Sequence, residues 1–189
     1  MKIQLQQGDA LLIVDLQNDF LTGGSLAVPD GDSVLPPLNQ WIERFAANRL
    51  PVFATRDWHP PDHCSFKAQG GPWPSHCVAN TTGAQFADRL KLPVDADVVN
   101  KATTHDTDAY SGFGNTDLAH RLQQARVRRV LVGGLATDYC VLNTVLDALR
   151  LGYDAVLLTS AIRAVNVRPG DGARAIATML EAGATIQEE

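Results

Sequence analysis

Cys140 is the residue with the greatest capacity for covalent chemistry in this chain. It stands in Val-Leu-Val-Gly-Gly-Leu-Ala-Thr-Asp-Tyr-Cys-Val, residues 130–141, where an apolar run passes through two glycines into a helical pattern. A cysteine in the first turn of a helix meets unpaired N–H groups and the positive end of the helix dipole, so this position is expected to favour a thiolate. Backbone N–H groups of the same turn could also face an oxyanion. The position suits an inert buried cysteine as well, because cysteine is among the most often buried residue types. What tips the balance is company. Asp15 directly follows Leu-Leu-Ile-Val and precedes Leu16, so it is expected on strand backbone, where an unpaired carboxylate is costly. Lys101 has the same character after Val98-Val99-Asn100. A carboxylate able to take and return a proton, an ammonium to balance charge and a thiol make a nucleophilic site.

A second constellation suits metal binding. Asp57-Trp58-His59 ends an apolar run, and an i, i+2 pair on extended backbone points both side chains the same way. His63 and His76 follow, so the irregular stretch 57–80 holds three histidines, four prolines and two cysteines. Carboxylate and imidazole together suit zinc, iron or manganese, and three ligands with open positions would make a catalytic centre. In a rival arrangement, His63-Cys64 and His76-Cys77 would close a structural Cys2His2 zinc site. Its paired residues are adjacent, however, whereas zinc ligands typically sit two to four apart.

The elements that must position these residues follow from hydrophobic pattern. Apolar runs at Leu11–Leu16, Pro51–Arg56, Asp97–Lys101, Arg129–Gly133, Ala155–Thr159 and Ala184–Gln187 read as strands buried on both faces. Helical patterns lie between them at Val34–Ala47, Thr116–Gln124, Asp138–Leu151 and Asp171–Glu181. The alternation predicts a three-layer α/β sandwich around a mostly parallel six-stranded sheet, Rossmann-like, forming one domain over residues 1–189. Ligands of such sheets bind beyond the carboxyl ends of the strands, which is where Asp15, Asp57, Lys101 and Cys140 fall.

Composition sets the outer bounds. Charged residues make up 20% of the chain and the formal net charge is −5, with both signs mixed throughout, so neither nucleic acid nor an anionic membrane surface is an expected partner. No apolar stretch is long enough for a membrane span. The first residues, MKIQLQQGDA, lack the pattern of a signal peptide, making the cytoplasm the expected compartment. The three cysteines cannot all pair and are expected as thiols. A homo-oligomer stays open.

Taken together, Leu12-Ile-Val-Asp-Leu-Gln-Asn-Asp-Phe20, Gly24-Ser-Leu-Ala-Val28, Thr55-Arg-Asp-Trp-His-Pro60, His63-Cys-Ser-Phe66, Trp73-Pro-Ser-His-Cys77, Asn100-Lys101, Asp108-Ala-Tyr-Ser-Gly-Phe113 and Gly134-Leu-Ala-Thr-Asp-Tyr-Cys-Val141 resemble the nicotinamidases within the isochorismatase-like cysteine hydrolases. The resemblance implies hydrolysis of nicotinamide to nicotinate and ammonia in NAD salvage, and acceptance of pyrazinamide. It implies Asp15, Lys101 and Cys140 as the catalytic triad and Asp57, His59 and His76 as metal ligands, with His63 a further ligand in some relatives. By the same resemblance, Leu135–Ala136 is a cis peptide, the N–H groups of Ala136 and Cys140 form the oxyanion hole, and Phe20, Leu26, Trp73, Tyr110 and Ala136 enclose the substrate. Two rival readings remain: a related hydrolase of a carbamoyl or ureido compound, and a non-catalytic metal or ligand-binding protein on the same fold.

Overall fold

The computed structural model describes residues 3–187. Residues 1–2 and 188–189, the ends of the expected domain, lie outside the described residues. Six strands form one sheet: β1 (Asp9–Val14), β2 (Val52–Asp57), β3 (Asp97–Lys101), β4 (Arg129–Leu135), β5 (Asp154–Arg163) and β6 (Thr185–Gln187). Their spatial order is β3-β2-β1-β4-β5-β6, and every pairing between them is parallel. The sheet is thus all-parallel where a mostly parallel one was expected. Four helices connect it: α1 (Leu35–Ala47), α2 (Leu118–Gln124), α3 (Leu142–Arg150) and α4 (Asp171–Glu181).

The two faces of the sheet carry separate cores because strand side chains alternate. Leu11 and Ile13 of β1 pack with α1, whose Leu38, Trp41, Ile42 and Phe45 form one buried stripe. Leu12 and Val14 face the opposite way, into a core with Leu118 and Leu122 of α2 and Val145 and Ala148 of α3. Strand order reverses direction between β1 and β4, the switch point at which open parallel sheets bind ligands. Gly134 permits the close approach there: its φ is +125°, and a Cβ would lie 2.0 Å from the Val14 carbonyl oxygen.

Several boundaries differ from expectation for physical reasons. β1 ends at Val14, and Asp15 turns into the left-handed region at φ 47° rather than continuing the strand. Aspartate tolerates that conformation better than most residues. The helix expected from Asp138 begins as a π-helical turn, Thr137–Val141, before the regular turns of α3. β5 runs four residues past its expected end at Thr159, with a register irregularity opposite Val132 and Gly134. The long stretch 57–80 is pinned rather than loose, with bridges joining His59 to Val78 and Phe66 to Trp73. Among the described residues, no helix is long and apolar enough to cross a membrane.

Candidate active site

Four strand ends deliver one buried cluster. Lys101, the last residue of β3, is 1% exposed and sends its ammonium between two carboxylates, 2.9 Å from Asp15 Oδ2 and 2.5 Å from Asp57 Oδ1. It also donates to the Ala109 carbonyl at 3.0 Å and approaches Cys140 Sγ at 3.5 Å. Ligand-type atoms of Asp15, Asp57 and Cys140 all lie within 4.8 Å of one another. With an ammonium in their midst, these three already hold their counter-charge.

Burial sets the protonation states. Desolvation raises the Asp15 carboxyl above its ordinary value, although Lys101 pulls in the opposite direction. Burial likewise holds the Cys140 thiol well above its ordinary value, again against the pull of Lys101. The pull of the helix start toward a thiolate is thus opposed: a buried sulfur beside two carboxylates gains little by ionising, and burial favours the thiol form of Cys140. Burial disfavours the charged form of Lys101 too, but Asp15 and Asp57 outweigh it and raise its pKa well above the ordinary value. Asp57 is the counterpart. Burial would raise its pKa, yet Lys101 and His59 together hold it far below the usual carboxylate range.

Asp57 also belongs to a second group, in which donor atoms of Asp57, His59 and His76 lie within 4.8 Å of one another and all three residues are buried. Its Oδ2 faces His59 Nε2 at 3.6 Å. The outer nitrogens of both imidazoles are taken: His59 Nδ1 meets the Ala102 carbonyl at 3.1 Å and His76 Nδ1 meets the Pro74 carbonyl at 2.8 Å. A carbonyl can only accept, so each ring donates a proton from Nδ1, which leaves Nε2 as the ring atom that a metal would take. Burial lowers the pKa of His76, which keeps it neutral, as a ligand must be. The donor set fits a divalent metal ion. His63 stands beside this group rather than in it. Its ring stacks on His59 at 4.1 Å, and its nitrogens are engaged by Ser65 Oγ at 2.7 Å and the Thr107 carbonyl at 3.2 Å. Cys64 and Cys77 are free thiols and join neither group, so the rival Cys2His2 site does not form.

A pocket opens onto both groups. Phe20, Leu26, Trp73, Tyr110 and Ala136, the five residues the resemblance implied, all line it, together with Asp57, His76 and Cys140. Trp73 Nε1 donates to the Tyr110 hydroxyl at 3.0 Å, joining two walls. Leu135–Ala136 is a cis peptide, as the resemblance implied, and the Ala136 carbonyl accepts the N–H groups of Tyr139 and Val141, both at 3.1 Å.

Sequence reasoning missed several contributors. Val28, Tyr139 and Val165 also line the pocket. Gln17 is fully buried, and its side-chain amide accepts the Asp57 N–H at 2.8 Å and donates to the Asp57 carbonyl at 2.8 Å. It continues the sheet ladder where the β1 backbone has turned away, and so orients Asp57. Thr55 Oγ1 donates to Asp15 Oδ1 at 2.7 Å. A signal for Gln17 existed, since it shares the spacing of Asp15 beside a buried run; Thr55 inside its strand offered none.

Comparison with known proteins agrees with this geometry. The isochorismatase domain family matches residues 9–188, and the chain belongs to that family. It is 42% identical to the nicotinamidase of Escherichia coli, over 94% of this chain and 93% of the relative. Among solved structures it resembles the pyrazinamidase of Pyrococcus horikoshii in complex with zinc, with 46% identity, a TM-score of 0.92, and coverage of 96% of this chain and 99% of the other. It also resembles PnC1 of L. infantum in complex with nicotinate, with 35% identity, a TM-score of 0.90, and coverage of 100% and 96%.

Proposed function

We propose that this protein is a metal-dependent nicotinamidase that hydrolyses nicotinamide to nicotinate and ammonia through a thioester on Cys140, as one hydrolase domain over residues 1–189. The observation that carries this reading is the pocket in which the buried Cys140 thiol, backed by Asp15 and Lys101, and the Asp57 and His76 donors meet aromatic walls suited to a flat ring. The names of its relatives point the same way, and pyrazinamide is the expected second substrate.

Asp57, His59 and His76 would hold the metal, and zinc is the ion we assign, by analogy with the zinc complex of the similar pyrazinamidase. When bound, the ion supplies an electrophilic anchor for a pyridine ring nitrogen. The chain's own residues perform the chemistry. Phe20 and Trp73 flank the ring. Asp15 takes the Cys140 proton, and sulfur attacks the carboxamide carbon, moving the carbonyl electron pair onto oxygen. The N–H groups of Ala136 and Cys140 receive that oxyanion; donors of this kind are worth about 10²–10³ in rate. Collapse breaks the C–N bond as Asp15 returns its proton to the departing nitrogen, giving ammonia. Asp15 then takes a proton from water, hydroxide displaces sulfur from the thioester, and Asp15 returns its proton to the leaving Cys140 sulfur. The released acid loses its proton to solvent and leaves as nicotinate. Lys101 keeps the charge balanced as Asp15 and Cys140 ionise in turn. A cytoplasmic place in NAD salvage accords with this activity.

Ammonia release from nicotinamide, measured on metal-analysed protein with and without chelator, tests the reading. The expected result is robust release that falls when metal is removed and returns with zinc. No release from a zinc-loaded, reduced protein would overturn it and turn attention to carbamoyl and ureido substrates.

A further inference from the structure

Asp19 is half-buried and does not line the pocket, yet its carboxylate ties together two of the segments that build it. One oxygen accepts the N–H of Cys77 at 2.7 Å, next to His76, and the other accepts the N–H of Ser25 at 3.3 Å, next to Leu26. Its backbone adds to the tie, donating to the Gly83 carbonyl and accepting from the Leu26 N–H, both at 3.0 Å. Two glycines make room: a Cβ at Gly83 would lie 2.1 Å from the Asp19 carboxylate, and one at Gly24 would lie 2.4 Å from the Asp19 carbonyl oxygen. Cys77 sits at φ 46°, an unfavourable conformation for a cysteine that the Asp19 hydrogen bond helps to hold.

We propose that Asp19 is a positioning residue that sets the third metal donor, His76, in register with the ring wall formed by Phe20 and Leu26. The inference rests on the reading of the pocket given above. An ionised carboxylate can accept from both N–H groups at once, whereas an amide offers one oxygen and turns a donor toward the other N–H. Asp19→Asn should therefore keep the shorter bond to Cys77 and lose the one to Ser25, and Asp19→Ala should lose both.

The experiment titrates zinc-loaded protein with a chromophoric chelator and measures KM and kcat for nicotinamide. Asp19→Ala is expected to bind zinc about 10–100-fold more weakly, the usual cost of losing a group that orients a ligand. Its KM should rise several-fold. Asp19→Asn should recover zinc affinity to within about threefold of the unmodified protein while KM stays raised. Asp9→Asn, a loss of comparable size at the far edge of the sheet, should move neither quantity. Unchanged zinc affinity and KM in folded Asp19→Ala would overturn the proposal, as would an equal zinc loss in Asp9→Asn. Should Asp19→Ala fail to fold, Asp19→Asn decides alone: a raised KM at near-unchanged zinc affinity supports the proposal, and an unchanged KM overturns it. If the unmodified protein leaves nicotinamide intact, the functional reading fails while the zinc titration still judges Asp19.

Discussion

β1 begins on one buried aspartate, Asp9, and runs directly into another, Asp15, and the two are finished differently. Asp9, 1% exposed, is saturated with donors: Arg129 grips both oxygens through Nε at 2.8 Å and Nη2 at 2.7 Å, and the Gln6 N–H adds a third bond at 2.8 Å. Asp15, fully buried, takes the Thr55 hydroxyl on Oδ1, while its Oδ2 lies 2.9 Å from the Lys101 ammonium without an aligned hydrogen bond, with the Cys140 thiol close to the carboxyl. Arginine offers a fixed fork that locks a carboxylate; lysine offers a point charge that leaves a lone pair available. A buried carboxylate short of donors has its pKa raised and can exchange a proton, whereas a saturated one is a clamp. The strand thus starts from an acid built as a clamp and leads into one left free to exchange a proton, the part proposed for Asp15.

The sharpest way to break this comparison is at the reactive end. Cys140→Ala is expected to lower nicotinamide turnover by more than about 10⁴-fold, because nothing else in the pocket can form the covalent intermediate. Zinc content should be unchanged, since Cys140 lies outside the three-donor metal group. Stopped assays with metal analysis check both halves; near-normal turnover would end the thioester scheme. Asp15→Asn follows, with an expected loss of about 10²–10⁴-fold in kcat. Its melting temperature should hold or rise, because Lys101 keeps Asp57 as its partner. A large stability loss with modest change in kcat would make Asp15 a second clamp.

The same contrast explains what could be read from residue order. Asp15, Asp57, Lys101 and Cys140 were legible because each polar residue ends or follows a run otherwise fit for a sheet interior. His76 lies seventeen positions past His59, so its partnership depends on bonds no local pattern reveals, such as the His59 N–H to the Cys77 carbonyl at 3.0 Å. Gln17, Thr55 and Asp19 act through tertiary hydrogen bonds of ordinary residue types. The left-handed turn at Asp15 and the π turn before α3 were hidden for a related reason, since both follow the point where the tertiary pairing of β1 with β4 stops, at Val14 and Gly134.

Protonation offers a finer test. Asp15 must be ionised to take the Cys140 proton, and burial raises its pKa. Activity should therefore be present above that raised value and lost as pH falls through it. The acid limb of kcat/KM should lie above the ordinary carboxylate range, near about 3.9 for a free aspartate. The Thr55 hydroxyl bond favours the ionised form, so Thr55→Val should move the limb higher still. A limb at the ordinary value, unmoved by Thr55→Val, would show that Asp15 is not the base.

The smallest effect on catalysis is expected at the clamp. Asp9 lies six residues from Asp15 along the strand direction, about 20 Å of extended chain, at the edge of the sheet opposite the pocket. Asp9→Asn leaves one oxygen for the Arg129 fork and places an amide donor against the rest, so about 2 kcal/mol of stability should be lost. The loss stops short of a full buried-charge penalty because Arg129 Nη2 also donates to the Gln4 carbonyl at 3.0 Å, and its side chain is 20% exposed. Urea unfolding measures that cost, and kcat should stay within about twofold, because the cost falls on folding and not on the reacting atoms. If Asp9→Asn lost activity on the scale of Asp15→Asn, the two ends of β1 would be energetically coupled through the strand, and the division between a sealed edge and a reactive one would fail.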